Sequence, residues 1–482
     1  MKDDLHYWNA TKLAAAIRAR HVSSVEAIGH FEARFDRFNA AINAIVVVDF
    51  DAARAEAHKA DADLAAGRLR GPLHGVPMTM KESFNIAGFP TTWGLKENLG
   101  WVPDRDGMSA RRFREAGAII FGKTNVPAAL TDLDTFNEVY GVTNNPYDHA
   151  CIPGGSSGGS AAALAAGLTA LEAGSDSGSS IRYPAHYCGV YGHKSTWGIV
   201  SMQGETVGER LGRNDISVAG PMARSAEDLA LALRIQAGPD DSDAAGWRLD
   251  LVQAREKTLS QHRIAILSSH PVAPVDHDTS RCIAELSRFL RKSGAVVDHQ
   301  ALPMFDLEDA QEKFVLLMAA GRGLRIGEDK LREVRGKAAG SRPESYAALR
   351  AAGLDISHRE WLGIDEYRHR IRTRWRDFFQ SYDFLICPVA QTAAFPHVFG
   401  GEWFERDIVV DGQRHPLANQ LFWAGLASLS YLPATAIPIG RSAGGLPIGV
   451  QVIGPQFADQ DCIAFAQLLE HAFYAFSPPA GY

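Results

Sequence analysis

The segment from Pro153 to Gly198, PGGSSGGSAAALAAGLTALEAGSDSGSSIRYPAHYCGVYGHKSTWG, constrains this chain more than any other. It is denser in glycine and serine than turn-making requires. Gly154, Gly155, Gly158 and Gly159 allow positive φ and close backbone approach. Ser160 to Gly167 then reads as a helix whose small side chains permit tight packing. Leu171–Gly174 reads as a strand leading into Ser175–Ser180, a loop whose amides can converge on one anion, as in a nest or oxyanion hole. The bland reading is a Ser/Gly surface loop beside a packing helix. A phosphate-binding loop is excluded by the missing Lys-Ser/Thr ending.

The rest of the chain supplies a frame for that segment. Short apolar runs at Val76–Met80 and Ala118–Phe121 alternate with Gly/Pro loops and helical stretches, and Ser225–Asp228 has capping-box spacing at the head of a helix over 225–236. A second such rhythm follows, with strands at Arg263–Leu267 and Ala295–Val297 around a helix over 278–292. Residues 306–380 read as mostly helical, and Phe384–Val389, Thr435–Ile439 and Ile448–Ile453 as strands apolar enough to be covered on both sides. The expected architecture is α/β: a single large mixed, mostly parallel central sheet covered by helices on both faces. One continuous domain is expected over 1–482. Within it, 1–65 forms an N-terminal helical part and 66–235 a catalytic core; 236–410 is a variable helical and α/β part, and 411–482 returns to the core sheet.

Composition narrows the function classes. The 482 residues are 46% hydrophobic and 22% charged, with a formal net charge of −7, and they contain no Lys/Arg block that would track a phosphate backbone. Nucleic acid is therefore not expected as a partner. Five scattered cysteines without a CxxC pair argue against a disulfide framework or a Cys-rich zinc site. The polar, acidic start MKDDLHYW is no signal peptide, and no apolar run reaches 18 residues, so a cytoplasmic protein without a membrane partner is expected. No metal or other cofactor is called for, and a homodimer is the default assembly.

Two overlapping G-x-S-x-G strings, around Ser156 and Ser157, admit an α/β-hydrolase nucleophile elbow. The preceding residues, Asp148–Pro153, read as loop rather than strand, and no late histidine is marked as a partner. Gly154-Gly-Ser-Ser-Gly-Gly-Ser160, followed by Gly174-Ser-Asp-Ser-Gly-Ser-Ser-Ile-Arg-Tyr-Pro-Ala185, instead resembles the signature of the amidase signature family. Gly75-Val-Pro-Met-Thr-Met-Lys81-Glu82, Gly122–Pro127, Asn144–Tyr147 and Gly445–Gln451 extend the likeness from about residue 8 to the C-terminus.

The resemblance implies a Ser–cisSer–Lys relay. Ser180 is the nucleophile, Ser156 (24 residues earlier) the bridging serine, and Lys81 the base. Amide hydrolysis needs a nucleophile stronger than water, and such a set can supply one, because a serine hydroxyl is weak until a base takes its proton, and lysine is a base only when burial lowers its pKa. Met78, Met80 and Phe84 suit such a site. The same likeness implies an oxyanion hole in the amides of 177–180, with Ser177, Gly178 and Ser179 its core, braced by Asp176 and Arg182. One departure stands out: Ser179 occupies a place where the family shows glycine, and a positive φ there would strain the loop.

The implied activity is hydrolysis of a C–N bond other than a peptide bond, in a linear amide, through an acyl-enzyme. Leu130 and Ser156 would line the acyl pocket, and the apolar Leu130 points to a small hydrophobic or aryl amide, anilide or carbamate. Trp93 and the Phe422–Trp423 pair are candidate walls, while His186, Cys188 and His193 read as packing. The partner expected is a small-molecule amide. Two alternatives stay open: the glutaminase subunit of a tRNA-dependent amidotransferase, and a non-catalytic binding relative.

Overall fold

Eight residues, Gly158–Ala165, form a helix that is buried on every side, as a helix of small, mostly apolar residues can be. A side chain at Gly159 would come within 2.3 Å of the Asn125 backbone nitrogen, so only glycine lets this helix press against the end of the neighbouring strand. The computed structural model describes residues 5–208, 211–212, 214–254, 256–323 and 326–482; the first four residues of the polar N-terminal stretch lie outside it.

Around this helix stand two sheets rather than one. The larger has eight strands. Their order is Val296–Asp298, Arg263–Ile266, Phe384–Pro388, Pro447–Ile453, Ala434–Arg441, Tyr191–Lys194, Val218–Ala223 and Glu172–Asp176. The first two neighbour pairs are parallel and the other five antiparallel, so the mostly parallel sheet expected from sequence is corrected to a mostly antiparallel mixed one. The apolar runs were a sound guide to burial, since every residue of Pro447–Ile453 is buried, but burial does not dictate strand direction. Antiparallel pairing follows from the short turn at 442–446, which folds Ala434–Arg441 back on Pro447–Ile453 as a hairpin.

The smaller sheet has three strands, Ile45–Val48, Ile119–Thr124 and Pro77–Lys81, in that order. Its edge strand carries Lys81 and runs beside Glu172–Asp176 of the larger sheet. Side chains stitch the two: the Thr79 amide donates to Thr169 Oγ1 at 3.0 Å, and the Thr79 hydroxyl donates to the buried Glu172 carboxyl group. This junction brings the lysine strand up to the serine loop. The helices expected over 225–236, 278–292 and 306–380 are present, the last as four helices between Leu307 and Phe378. Ser225 caps its helix by accepting from the Asp228 amide, but the Asp228 carboxylate turns away to the Ala10 and Thr11 amides, so half of the capping box forms. Among the described residues no helix is long and apolar enough to cross a membrane.

Candidate active site

Lys81 ends its strand fully buried, and burial lowers its pKa from 10.5 to about 8 against the opposing pull of Glu205, Asp176 and Glu82. Its amine donates to Ser156 Oγ at 2.7 Å and to Ser175 Oγ at 2.8 Å. Two other buried lysines are also shifted down by burial, Lys123 to about 8 and Lys194 to about 7. Lys123 donates to the Pro90 carbonyl and the Thr91 hydroxyl, and Lys194 to the carbonyls of Ser195 and Leu432. Lys81 alone of the three is set against hydroxyls that open onto a cavity.

The backbone delivers Ser156 through Gly154, whose φ is +85°, and through a cis peptide bond between Gly155 and Ser156. Ser180 follows the strand Glu172–Asp176 in a loop that turns around the Asp176 carboxylate. That carboxylate accepts from the amides of Ser179 at 2.9 Å and Ile181 at 3.1 Å, and from Arg182 Nε at 3.0 Å and Nη2 at 2.9 Å. Burial alone would raise the Asp176 pKa; the Arg182 charge and these hydrogen bonds outweigh it and hold the carboxyl ionised. Arg182 then reaches Gln451 Oε1 at 2.7 Å and Ser428 Oγ at 2.9 Å, fastening the loop to the larger sheet and to the helix Leu421–Ser428.

The expected oxyanion set changes in one member. Ser179 has φ +79°, its hydroxyl is buried without a hydrogen-bond partner, and its amide is occupied by Asp176. Its N–H therefore points away from the cavity. The amides of Ser177, Gly178 and Ser180 have no acceptor among the described residues. Ser156 and Ser180 line one cleft, and no hydrogen bond joins their hydroxyls.

The cleft has a volume of about 440 Å³. Leu130 and Trp93 line it as expected, on backbone turned to positive φ at 60° and 55°. Phe422 and Trp423 do not: both are buried in the core, with Phe422 stacked on His270. His186 and His193 are packing residues, the first bonded to the backbone of Gly449 and Thr392, the second to Asp459 and Thr435. Ser175, in the strand Glu172–Asp176, reads in sequence as one more loop serine, and no local signal sets it apart. The cleft also admits charge that the apolar Leu130 did not foretell, including Glu205, Arg322, Arg350 and Glu402.

Residues 26–463 match the family model described as Amidase. The chain is similar to a glutamyl-tRNA(Gln) amidotransferase subunit from Acidothermus cellulolyticus, with 33% identity over 98% of this chain and 95% of that protein. A crystal structure of an amidase superimposes with a TM-score of 0.79 at 28% identity, covering 97% of this chain and 100% of the other. A bacterial aryl acylamidase of the amidase signature enzymes gives 0.82 at 24% identity with both chains fully covered, a likeness of fold alone.

These relatives correct the partner expectation. A set confined to a small-molecule amide, without nucleic acid and with at most a second copy, does not stand when a relative this similar along the chain is one subunit of an amidotransferase named for a tRNA. The physical reason is that the net charge of one chain says nothing about surfaces that other subunits would supply.

Proposed function

Because this chain belongs to the amidase family, we propose that it hydrolyses a carboxamide C–N bond with Ser180 as nucleophile, Ser156 as proton bridge and Lys81 as base. The observation that carries this reading is the 2.7 Å contact of a buried, pKa-lowered Lys81 amine with Ser156 Oγ in the cleft that Ser180 lines. Neutral Lys81 takes the Ser156 proton as Ser156 takes that of Ser180. Ser180 Oγ forms its bond to the carbonyl carbon, and the carbonyl oxygen becomes an oxyanion facing the amides of Ser177, Gly178 and Ser180. Collapse of that intermediate breaks the C–N bond, and the nitrogen leaves with the proton returned through Ser156. Water, deprotonated by the same route, attacks the Ser180 ester and releases the carboxylic acid. Preorganised amides of this kind are worth about 10²–10³ in rate per donor.

For the identity of the amide, the amidotransferase relative favours glutamine, with ammonia as product, over a small hydrophobic or aryl amide, anilide or carbamate. A linear amide hydrolase acting alone is the second reading, supported by the likeness to the solved amidase. Ammonia release from glutamine, measured beside release of aniline from aryl amides, separates the two. Turnover of glutamine supports the amidotransferase reading, and turnover of anilides alone rejects it. Loss of all turnover in Ser180→Ala is expected in either case; full activity in that variant would refute the nucleophile.

A further inference from the structure

We infer that Ser217 is a positioning residue for the oxyanion hole: its hydroxyl clasps that of Ser177 and so fixes the direction of the Ser177 amide. The inference rests on the reading of Ser180 as the nucleophile, with the amides of Ser177, Gly178 and Ser180 facing the oxyanion, and it adds a residue which that reading does not use.

The strands Glu172–Asp176 and Val218–Ala223 run antiparallel, and the last residues paired at this end are Asp176 and Val218. One step further, where the ladder has ended and the chain enters the serine loop, Ser177 and Ser217 stand opposite each other, and their hydroxyls share a hydrogen bond at 2.7 Å. Both residues line the cleft. A bond between two half-buried hydroxyls adds little to stability, since water serves either one nearly as well. What it fixes is geometry. With its hydroxyl taken, Ser177 keeps that group off the substrate and presents its amide, which has no acceptor among the described residues.

The far side of the clasp is itself held. Ile216, a β-branched residue, has φ +66°, a conformation that persists only where the surroundings impose it. Those surroundings converge on Asp215. Its carboxylate accepts from the Ile216 amide at 2.9 Å, from Arg368 Nη1 at 2.9 Å on each oxygen, and from the Tyr431 hydroxyl at 2.5 Å. Its carbonyl accepts from the Ser217 amide at 2.7 Å. The Arg368 guanidinium lies 4.4 Å from the centre of the Tyr431 ring, and that ring stacks at 4.6 Å on Trp197, whose indole donates to the Asn214 carbonyl. Arg368 comes from the helix His358–Phe378, distant in sequence from the serine loop, and is only 1% exposed. The turn that carries Ser217 is thus tied down at each residue from 214 to 217. Strain anchored this heavily beside a reacting centre marks a part kept for its geometry. Preorganised donors act because they need no reorganisation as charge develops, so stilling the Ser177 peptide favours the transition state.

The test is the second-order rate of fluorophosphonate labelling of the full chain, read by intact mass across the pH limb set by Lys81. The phosphonyl oxygen of this probe takes the place of the oxyanion as Ser180 attacks. The clasp predicts labelling roughly 10-fold slower in Ser217→Ala, a fraction of the about 10²–10³ that loss of a whole donor costs. Ser217→Thr, which keeps the hydroxyl, restores most of that rate, and the limb stays at the same pH in both variants. Unchanged labelling in Ser217→Ala, an equal loss in Ser217→Thr, or a displaced limb, which would place the effect on Lys81, would each overturn the inference. An adduct on a residue other than Ser180, or none on the unmodified chain, would instead sink the nucleophile reading itself.

Discussion

The Ser179 amide donates to the Asp176 carboxylate at 2.9 Å, and it does so from a backbone φ of +79° that a side chain resists. The hydroxyl gains nothing in return, since Ser179 Oγ is buried and unpartnered. Relief of left-handed strain, at about 1–2 kcal/mol, together with removal of an unsatisfied hydroxyl, outweighs the added chain entropy of glycine. Ser179→Gly is therefore expected to stabilise the protein by about 1 kcal/mol, read from the denaturant midpoint. Ser179→Ala should gain less, because it keeps the Cβ.

Lys81 acts as a base only when neutral, and its pKa lies at about 8 because burial disfavours the charge. kcat/KM is expected to rise about tenfold per pH unit below that value and to level off above it. Ser175 accepts a hydrogen bond from the Lys81 amine, which favours the charged form, so Ser175→Ala should move the rise to lower pH while cutting kcat by roughly 10-fold or more. A pH–rate profile with the limb unmoved would reduce Ser175 to a packing role.

The Asp176–Arg182 pair is wholly buried and holds both the Ser180 loop and its contacts to Gln451 and Ser428. Arg182→Met leaves an ionised carboxylate without its partner in the core. The expected loss is about 3–5 kcal/mol in equilibrium unfolding, together with loss of Ser180 reactivity in whatever remains folded.

Glu172 joins the two sheets as a neutral acid, its pKa pushed by burial from 4.5 to about 8. A folded-state pKa above the unfolded one means that its contribution to stability is complete below pH about 4.5 and is lost as pH rises through about 8. Glu172→Gln removes this dependence. The variant's unfolding midpoint should fall less than that of the unmodified protein between about pH 5 and 8.5, and parallel curves would contradict the assignment.

The residues of the proposed relay were legible because they sit in long, ordered motifs, and the structure brings Lys81 and Ser156 into contact across 75 residues of sequence. The sheet was legible only in part. Phe384–Val389 and Ile448–Ile453 betray burial, whereas Tyr191–Lys194 contains Gly192 and Val218–Ala223 contains Gly220 and Pro221, residues that strands ordinarily avoid, and neither run stands out in the sequence. Ser175 depends on which elements meet in space, here the lysine strand beside Glu172–Asp176. No local pattern encodes such meetings. Ser179 is the opposite case, where a single unexpected residue in a motif correctly flagged a strained backbone.

The most direct measurement is intact-protein mass after exposure to a fluorophosphonate, on the unmodified chain and on Ser180→Ala, Ser156→Ala and Lys81→Ala. The relay predicts one adduct on the unmodified protein, none on Ser180→Ala, and formation slowed by orders of magnitude in the other two. Labelling that persists in Ser180→Ala and vanishes when Ser156 or Ser157 is replaced would contradict the relay and move the nucleophile to the glycine loop.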